Sequence, residues 1–300
     1  MKKLQIKKKF VFLGDLDSIN IEIVVKSFKY LKNRVNYLIL CNKKDFFNKT
    51  DIEINEIYDP ISFKNYKKNN LNIFNVENIS KKKYLNLLNQ IEVANNLAND
   101  TKFDLITLPV DKSLFKKHMR FTGMTEYLGK INNKHTIMMM HGEKFSVVPL
   151  TTHINIKNIH KFITSKYINF FFKNLFSNIE KKIYCLNFKE IKFLCYNPHC
   201  GENGTLGNED LIIQKLLNKY EKIKGPYPAD SSFNNFKQNT LFLSGYHDQV
   251  LIPYKILNKK CVNLTLGLNY RRLSPAHGTA KDIKNKNIAN NSSYLRCQLF

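Results

Sequence analysis

Three apolar runs of this 300-residue chain lead into a histidine: Phe145-Ser-Val-Val-Pro-Leu-Thr-Thr-His153, Phe193-Leu-Cys-Tyr-Asn-Pro-His199 and Leu241-Phe-Leu-Ser-Gly-Tyr-His247. Short apolar runs bounded by Pro, Gly and Asn read as buried strands. Where such strands alternate with helices the sheet is mainly parallel, and the carboxyl ends of its strands share one edge, at which ligands bind. Three neutral imidazoles gathered there would hold a divalent cation with open coordination positions, a Lewis acid for a hydroxyl or carbonyl oxygen. Taken singly, each histidine reads more readily as a surface or hydrogen-bonded residue. The matching positions of three at strand ends bring the metal reading level with that one.

Carboxylates and cations stand close to these residues in sequence. Asp248 and Gln249 follow the third histidine, and Asp230 closes Gly225-Pro-Tyr-Pro-Ala-Asp230. A carboxylate there would orient an imidazole or move a proton, although Asp is also favoured in turns and at helix starts. Lys255, Asn263 and Arg272 surround the run Cys261 to Leu268, where two cations and an amide would grip a phosphate or carboxylate. After His199, Gly201-Glu-Asn-Gly204-Thr-Leu-Gly207 opens a helix, a phosphate-friendly arrangement that matches neither the dinucleotide fingerprint nor a Walker loop.

The elements that must position these groups are legible as periods. Phe10 to Leu13 and Val35 to Cys41 read as strands, and the helix between them, from Ile19, places Val24, Phe28 and Leu31 on one face. Lys81 to Asn99 reads as a helix with Leu85, Leu88, Ile91 and Ala94 along one side. Strands follow at Phe103 to Pro109, Thr136 to Met140 and Phe145 to Leu150, then a helix over Ile156 to Phe176 and another over Asn208 to Tyr220. Met138 to Met140 reads as core. The Asn- and Lys-rich stretch from Asn42 to Ser80 gives no assignable period.

Bulk composition narrows the function classes. The net charge of +24, from 48 Lys and Arg against 24 Asp and Glu, is mostly Lys spread along the chain, without the Arg-rich stripe of a nucleic-acid surface. The Lys7–Lys9 and Lys81–Lys83 runs read as solvated ends of elements. No apolar stretch is long enough for a membrane span, and the basic start lacks a signal-peptide core, so the expected location is cytoplasmic. Most of the six cysteines read as buried thiols. A Cys195/His199/Cys200 zinc site lacks the usual ligand spacing.

Taken together, Thr151-Thr-His153, Asn197-Pro-His-Cys-Gly-Glu-Asn-Gly204, Gly225-Pro-Tyr-Pro-Ala-Asp230, Tyr246-His-Asp-Gln249, Asn263-Leu-Thr-Leu-Gly-Leu268 with Arg272, and His277-Gly-Thr-Ala280 resemble the 4-hydroxythreonine-4-phosphate dehydrogenase family of vitamin B6 biosynthesis. The resemblance runs from about Phe103 to Ala280 and, more thinly, over Gly14-Asp15 and Glu22-Ile23. It implies an α/β, isocitrate/isopropylmalate dehydrogenase-like fold of two α/β/α domains with a cleft between them: residues 1–120 plus 275–300, and residues 121–274. It implies NAD- or NADP-dependent oxidation of 4-phosphooxy-L-threonine, a small phosphorylated substrate, to a β-keto acid that loses carbon dioxide. It also implies a homodimer with one divalent metal, zinc, magnesium or cobalt, at the subunit boundary.

Carried over residue by residue, the resemblance makes His153, His199 and His247 metal ligands, and Thr125, Lys255, Asn263 and Arg272 substrate contacts. Asp230 matches an active-site aspartate. Beside the resemblance, Lys112 is a further candidate for proton transfer, and the loop of Gly201, Gly204 and Gly207 is read as a region near the cofactor or active site. Three departures stand out. Met124 replaces a substrate-binding histidine and cannot donate a hydrogen bond. Ala276 replaces an aspartate. Gly14-Asp-Leu-Asp-Ser-Ile-Asn-Ile-Glu22 lacks glycines and prolines that shape a strand-to-helix turn. The alternatives are a dehydrogenase for another phosphorylated hydroxy acid, of the threonate phosphate type, or a metal-binding homologue with eroded catalysis.

Overall fold

A computed structural model describes residues 8–300, and the basic start through Lys7 lies outside them. The described residues divide into two compact units, residues 8–128 with 268–300, and residues 129–267. The first opens with β1 (Lys8–Phe12), α1 (Asn20–Leu31), β2 (Asn36–Cys41), β3 (Ile54–Glu56), β4 (Leu71–Asn75), α2 (Lys83–Thr101), β5 (Asp104–Thr107) and α3 (Met124–Ile131). The second holds β6 (Ile137–His141), β7 (Phe145–Thr151), α4 (Ser165–Ile179), β8 (Glu190–Leu194), α5 (Glu209–Leu217), β9 (Ile223–Tyr227), α6 (Ala229–Ser232), β10 (Thr240–Tyr246), α7 (His247–Leu257) and β11 (Val262–Leu266). The chain then returns to the first unit with β12 (Arg272–Pro275) and α8 (Ser292–Leu299).

Strand order in the first unit is β3-β4-β2-β1-β5-β12, every pair parallel. Its central strands are near-continuous apolar runs, as a sheet covered on both faces requires. On α1, Val24, Phe28 and Leu31 are buried as their spacing predicts. On α2 the buried stripe is Leu87, Ile91, Ala94 and Ala98, one turn-position away from the Leu85 and Leu88 line expected. The polar Asn95 joins that face because the Tyr270 hydroxyl donates to its side-chain oxygen at 2.8 Å.

In the second unit the order is β11-β6-β7-β10-β8-β9, antiparallel through β11-β6-β7 and parallel from β7 onward. Met138, Met139 and Met140 are all buried in β6. The helix expected over Ile156 to Phe176 is two elements. A 3-10 turn covers Ile156–Phe162, and α4 starts afresh where the Thr164 hydroxyl accepts from Tyr167 N–H at 3.3 Å, a capping signal that interrupts the apolar run. Strand β9 absorbs Gly225 and Pro226 from what reads as a turn. It lies at the sheet's end, where a missing N–H is tolerated. No helix among the described residues is long and apolar enough to cross a membrane.

The strand-to-helix turn after β1 keeps its shape by other means than the absent glycines. Gly14, with φ of +75°, sits so close to the chain that a Cβ would lie 2.5 Å from the Pro109 carbonyl oxygen. The Asn20 amide donates to the carbonyls of Leu13 at 2.9 Å, Asp15 at 3.2 Å and Pro109 at 2.9 Å. One buried side chain therefore ties together the carbonyls of two converging segments.

One lysine departs from its solvated reading. Lys9 is 1% exposed in β1, with its ammonium 3.2 Å from Asp104 and donating to the Cys297 carbonyl at 3.1 Å. Arg271, itself buried, donates to both Asp104 oxygens, at 3.0 and 2.5 Å. Burial by itself would raise the Asp104 carboxyl, but the Arg271 hydrogen bond and the Lys9 charge hold it below the ordinary carboxylate range. Burial lowers the Lys9 pKa. Because the Asp104 pKa is depressed on folding, its stabilisation is complete above the unfolded carboxylate pKa and is lost as pH falls through the depressed native value. Asp104→Asn leaves two buried cations without their counter-charge, and urea denaturation is expected to show a loss of about 3–5 kcal/mol.

Candidate active site

The three histidine-bearing runs are neighbours: β7, β10 and β8 lie side by side and parallel, so their carboxyl ends share one edge of the second unit. Register explains which histidines meet. Thr151 at the end of β7 pairs with Tyr246 at the end of β10, and the Thr151 hydroxyl donates to the Gly245 carbonyl at 2.8 Å. His153 and His247 leave these tied ends together, with ring centroids 6.1 Å apart. His247 Nδ1 is 2.6 Å from the Asp248 carboxylate, which leaves Nε2 as the other ring nitrogen.

Strand β8 leaves the sheet earlier, at Leu194, and His199 is carried off on a loop. It lines a cavity of about 620 Å³ with Asp230, Asp248, Gln249, Tyr196 and Tyr246. The Gln249 amide donates to the Cys195 carbonyl at 2.7 Å and so fastens the start of α7 to the end of β8. Among the described residues, no group of three or more His, Cys, Asp or Glu side chains is gathered closely enough to hold a metal ion.

The loop after β8 has an uncommon backbone. His199, Cys200, Gly201, Glu202 and Asn203 all have positive φ, between 45° and 74°. Its entrance is held by Asp210, buried at the start of α5, whose two oxygens accept from Tyr196 N–H at 2.7 Å and Asn197 N–H at 2.8 Å. Glu209 accepts from the Asn197 amide at 3.0 Å. The expectation of buried thiols fails for three cysteines: Cys195 and Cys200 are joined as a disulfide, with Cα atoms 4.9 Å apart, and the free Cys185 is exposed. Cys41, Cys261 and Cys297 are free and buried. The pairing was hidden in sequence because it depends on the left-handed turn.

The other polar candidates of this unit lie on α7 and β11. Lys255 is exposed in the last turn of α7. Asn263, on β11, has a side-chain oxygen that is buried with no hydrogen-bond partner.

In the first unit, Arg272 and Thr125 come together. The Arg272 guanidinium is buried, donating through Nε to the Thr107 hydroxyl at 2.9 Å and through Nη1 to the Thr125 hydroxyl at 3.3 Å. Burial lowers its pKa to about 10. Met124, one residue before Thr125, packs against the apolar core of this unit. Lys112 is exposed and lines a separate cavity of about 510 Å³ with Lys116 and Arg120. His277 Nδ1 is 2.9 Å from the Gly278 carbonyl, its Nε2 is buried without a partner, and burial lowers its pKa. A larger cavity, about 780 Å³, runs along the first turns of α1 and α2 and the 284–287 segment, lined by Lys26, Lys49, Lys81, Lys83 and Lys284.

Two groups escaped the sequence reading. Thr107 orients Arg272 from the carboxyl end of β5, the position where parallel sheets carry ligand groups, so the edge rule applied to the histidines would have found it. Asp210 was hidden because a buried helix-start carboxylate looks in sequence like ordinary capping.

A family model described as pyridoxal phosphate biosynthetic protein PdxA matches residues 18–298. A 4-hydroxythreonine-4-phosphate dehydrogenase from Sulfurihydrogenibium sp. (strain YO3AOP1) is 32% identical, covering 95% of this chain and 94% of its own. Another, from Aquifex aeolicus (strain VF5), is 33% identical, covering 96% and 95%. Among solved structures, 4-hydroxythreonine-4-phosphate dehydrogenase from Klebsiella pneumoniae superposes with a TM-score of 0.78 at 22% identity, covering 98% of this chain and 97% of its own. A terephthalate 1,2-cis-dihydrodiol dehydrogenase from Burkholderia xenovorans LB400 gives 0.61 at 17%, covering 97% and 96%. These likenesses bear out the α/β fold.

Asp210→Ala leaves the Tyr196 and Asn197 N–H groups without their acceptor. A stability loss of about 2–4 kcal/mol is expected in denaturant titration, with the entrance of the loop the first segment to gain amide exchange.

Proposed function

We propose a function for a chain that belongs to the family of pyridoxal phosphate biosynthetic protein PdxA: oxidation of the secondary alcohol of 4-phosphooxy-L-threonine with an NAD-type cofactor, in the cytoplasm. The product is 2-amino-3-oxo-4-phosphooxybutanoate, a β-keto acid that loses carbon dioxide to give 3-amino-2-oxopropyl phosphate. The observation that carries this reading is the His153 and His247 pair at the tied ends of β7 and β10, with Asp248 on one ring nitrogen of His247.

The donor set fits a divalent cation of the zinc, magnesium or cobalt kind. His153 and His247 would hold it, Asp248 fixing the His247 ring as an outer-shell carboxylate does. His199 completes the set when two copies of the chain associate as a homodimer. When bound, the cation supplies Lewis acidity toward the substrate oxygen, and the nicotinamide accepts the hydride.

Asp230, on the cavity that His199 also lines, takes the hydroxyl proton on its carboxylate. Lys112 is the second candidate for that proton. In the first unit, Arg272, oriented by the hydroxyls of Thr107 and Thr125, offers a planar fork to the phosphate or carboxylate. In the second, the unpartnered Asn263 oxygen would accept from a substrate N–H or O–H, and Lys255 adds charge. For the cofactor, the lysine-lined cavity suits a pyrophosphate better than the Gly201, Gly204 and Gly207 loop, whose helix start already carries Glu209 and Asp210. A second reading, oxidation of a threonate phosphate-type substrate, rests on Met124, which alters the substrate wall where the family has a hydrogen-bonding histidine.

Purified protein with NAD or NADP, a divalent metal and 4-phosphooxy-L-threonine is expected to raise the absorbance of reduced nicotinamide. Turnover of threonate 4-phosphate alone would favour the second reading, and no turnover of either with zinc, magnesium or cobalt would overturn the dehydrogenase assignment. Asp230→Asn is expected to lower kcat by about 10²–10⁴-fold with metal content unchanged. Asp248→Asn should weaken metal binding by about 10–100-fold, read by equilibrium dialysis.

A further inference from the structure

We infer that Cys195 and Cys200 form a reversible disulfide that sets the conformation of the loop carrying His199, making this loop a thiol-sensitive element. Cys195 is buried immediately after β8 and Cys200 is half-buried in the loop, so the bond spans the residues between them, His199 included. From His199 to Asn203 the backbone stays in the left-handed region, and four of those five residues are not glycine. L-residues pay a steric cost there, and successive ones are rare outside a constraint that holds them. Beyond its own 3-10 bonds, the turn is held by Leu206 N–H to the Gly201 carbonyl at 3.1 Å and Thr205 N–H to the Glu202 carbonyl at 3.3 Å, and Cys200 Sγ lies 3.6 Å from the Pro226 carbonyl. Asp210 fixes the chain before the turn, at Tyr196 and Asn197, and not within it. The sulfur bridge is the covalent link between the left-handed segment and the end of β8. This rests on the proposed role of His199 only for its consequence in metal binding.

The chemistry is thiol–disulfide exchange. A thiolate of a dithiol reductant attacks the half-buried Cys200 sulfur, the bond to Cys195 breaks and Cys195 leaves as a thiolate that is then protonated. The second thiol of the reductant displaces Cys200, giving two protein thiols and the oxidised reductant. A small-molecule disulfide runs the exchange in reverse, itself reduced to two thiols.

The test uses the full chain equilibrated with dithiothreitol or with oxidised glutathione. Alkylation in denaturant, read by intact mass, is expected to modify six cysteines in the reduced protein and only the four free ones after oxidation. Amide exchange over residues 197–206 should be about tenfold slower in the oxidised form, and cobalt affinity about tenfold higher. Cys200→Ala should behave as the reduced form under both conditions. Alkylation of all six cysteines after oxidation, or equal loop exchange in both states, would overturn the inference. If loop exchange responds but cobalt binds in neither state, the bridge stands and the metal-ligand reading of His199 falls.

Discussion

Parallel pairing of β7, β10 and β8 is the constraint on which the candidate site of the second unit rests. Three strands running the same way must end at the same edge, and whatever follows each strand is delivered there. The pairing of Thr151 with Tyr246 then decides that His153 and His247 emerge together, while the earlier exit of β8 sends His199 outward on its own turn. A slip of one residue would reverse the faces of a strand and scatter the set. Hence the chain spends side-chain hydrogen bonds on the strand ends themselves: Thr151 to Gly245, Gln249 to Cys195, and Asp210 to the exit of β8.

Much of this was legible in the sequence because apolar runs and terminal histidines are local signals. The strands β1, β2, β5, β6, β7 and β10 and the helices α1, α2 and α5 follow from period and punctuation. What escaped depends on partners distant in the chain. Strands β3 and β4 lie in an Asn- and Lys-rich stretch whose alternation is masked, since the buried Asn72 amide donates to the Lys67 and Asn70 carbonyls where an apolar residue would be expected. Lys9 looked solvated because nothing near it in sequence announces Asp104 and Arg271. The Cys195–Cys200 bond needed a left-handed turn, which no periodicity reports. For the candidate site the residue types were legible, but which of them meet was fixed by strand register.

The charge excess acquires a narrower meaning once the buried lysine and arginines are set apart. Lys9, Arg271 and Arg272 are structural or site cations held by Asp104, Thr107 and Thr125, and the lysines along the 780 Å³ cavity are gathered from segments far apart in sequence. A composition that resembles dispersed background in one dimension thus gathers five lysines along one cavity, where Lys26 pairs with Glu22, Lys83 with Asp15 and Lys284 with Asp17, so the local charge is mixed.

The departures from the family pattern differ in what they disturb. Asn20 stands where a turn glycine is expected, yet its amide supplies three hydrogen bonds that hold the turn, so the position is rebuilt. Ala276 lacks a carboxylate, but its N–H is held by the Ser293 hydroxyl at 2.8 Å and the backbone path is kept. Met124 is different. Its side chain packs into the apolar core of its unit, which preserves folding while withdrawing a polar group from beside Thr125 and Arg272. Two changes are therefore absorbed by local hydrogen bonding, and the third exchanges a polar side chain for packing within the unit that also holds the Arg272–Thr125 hydrogen bond.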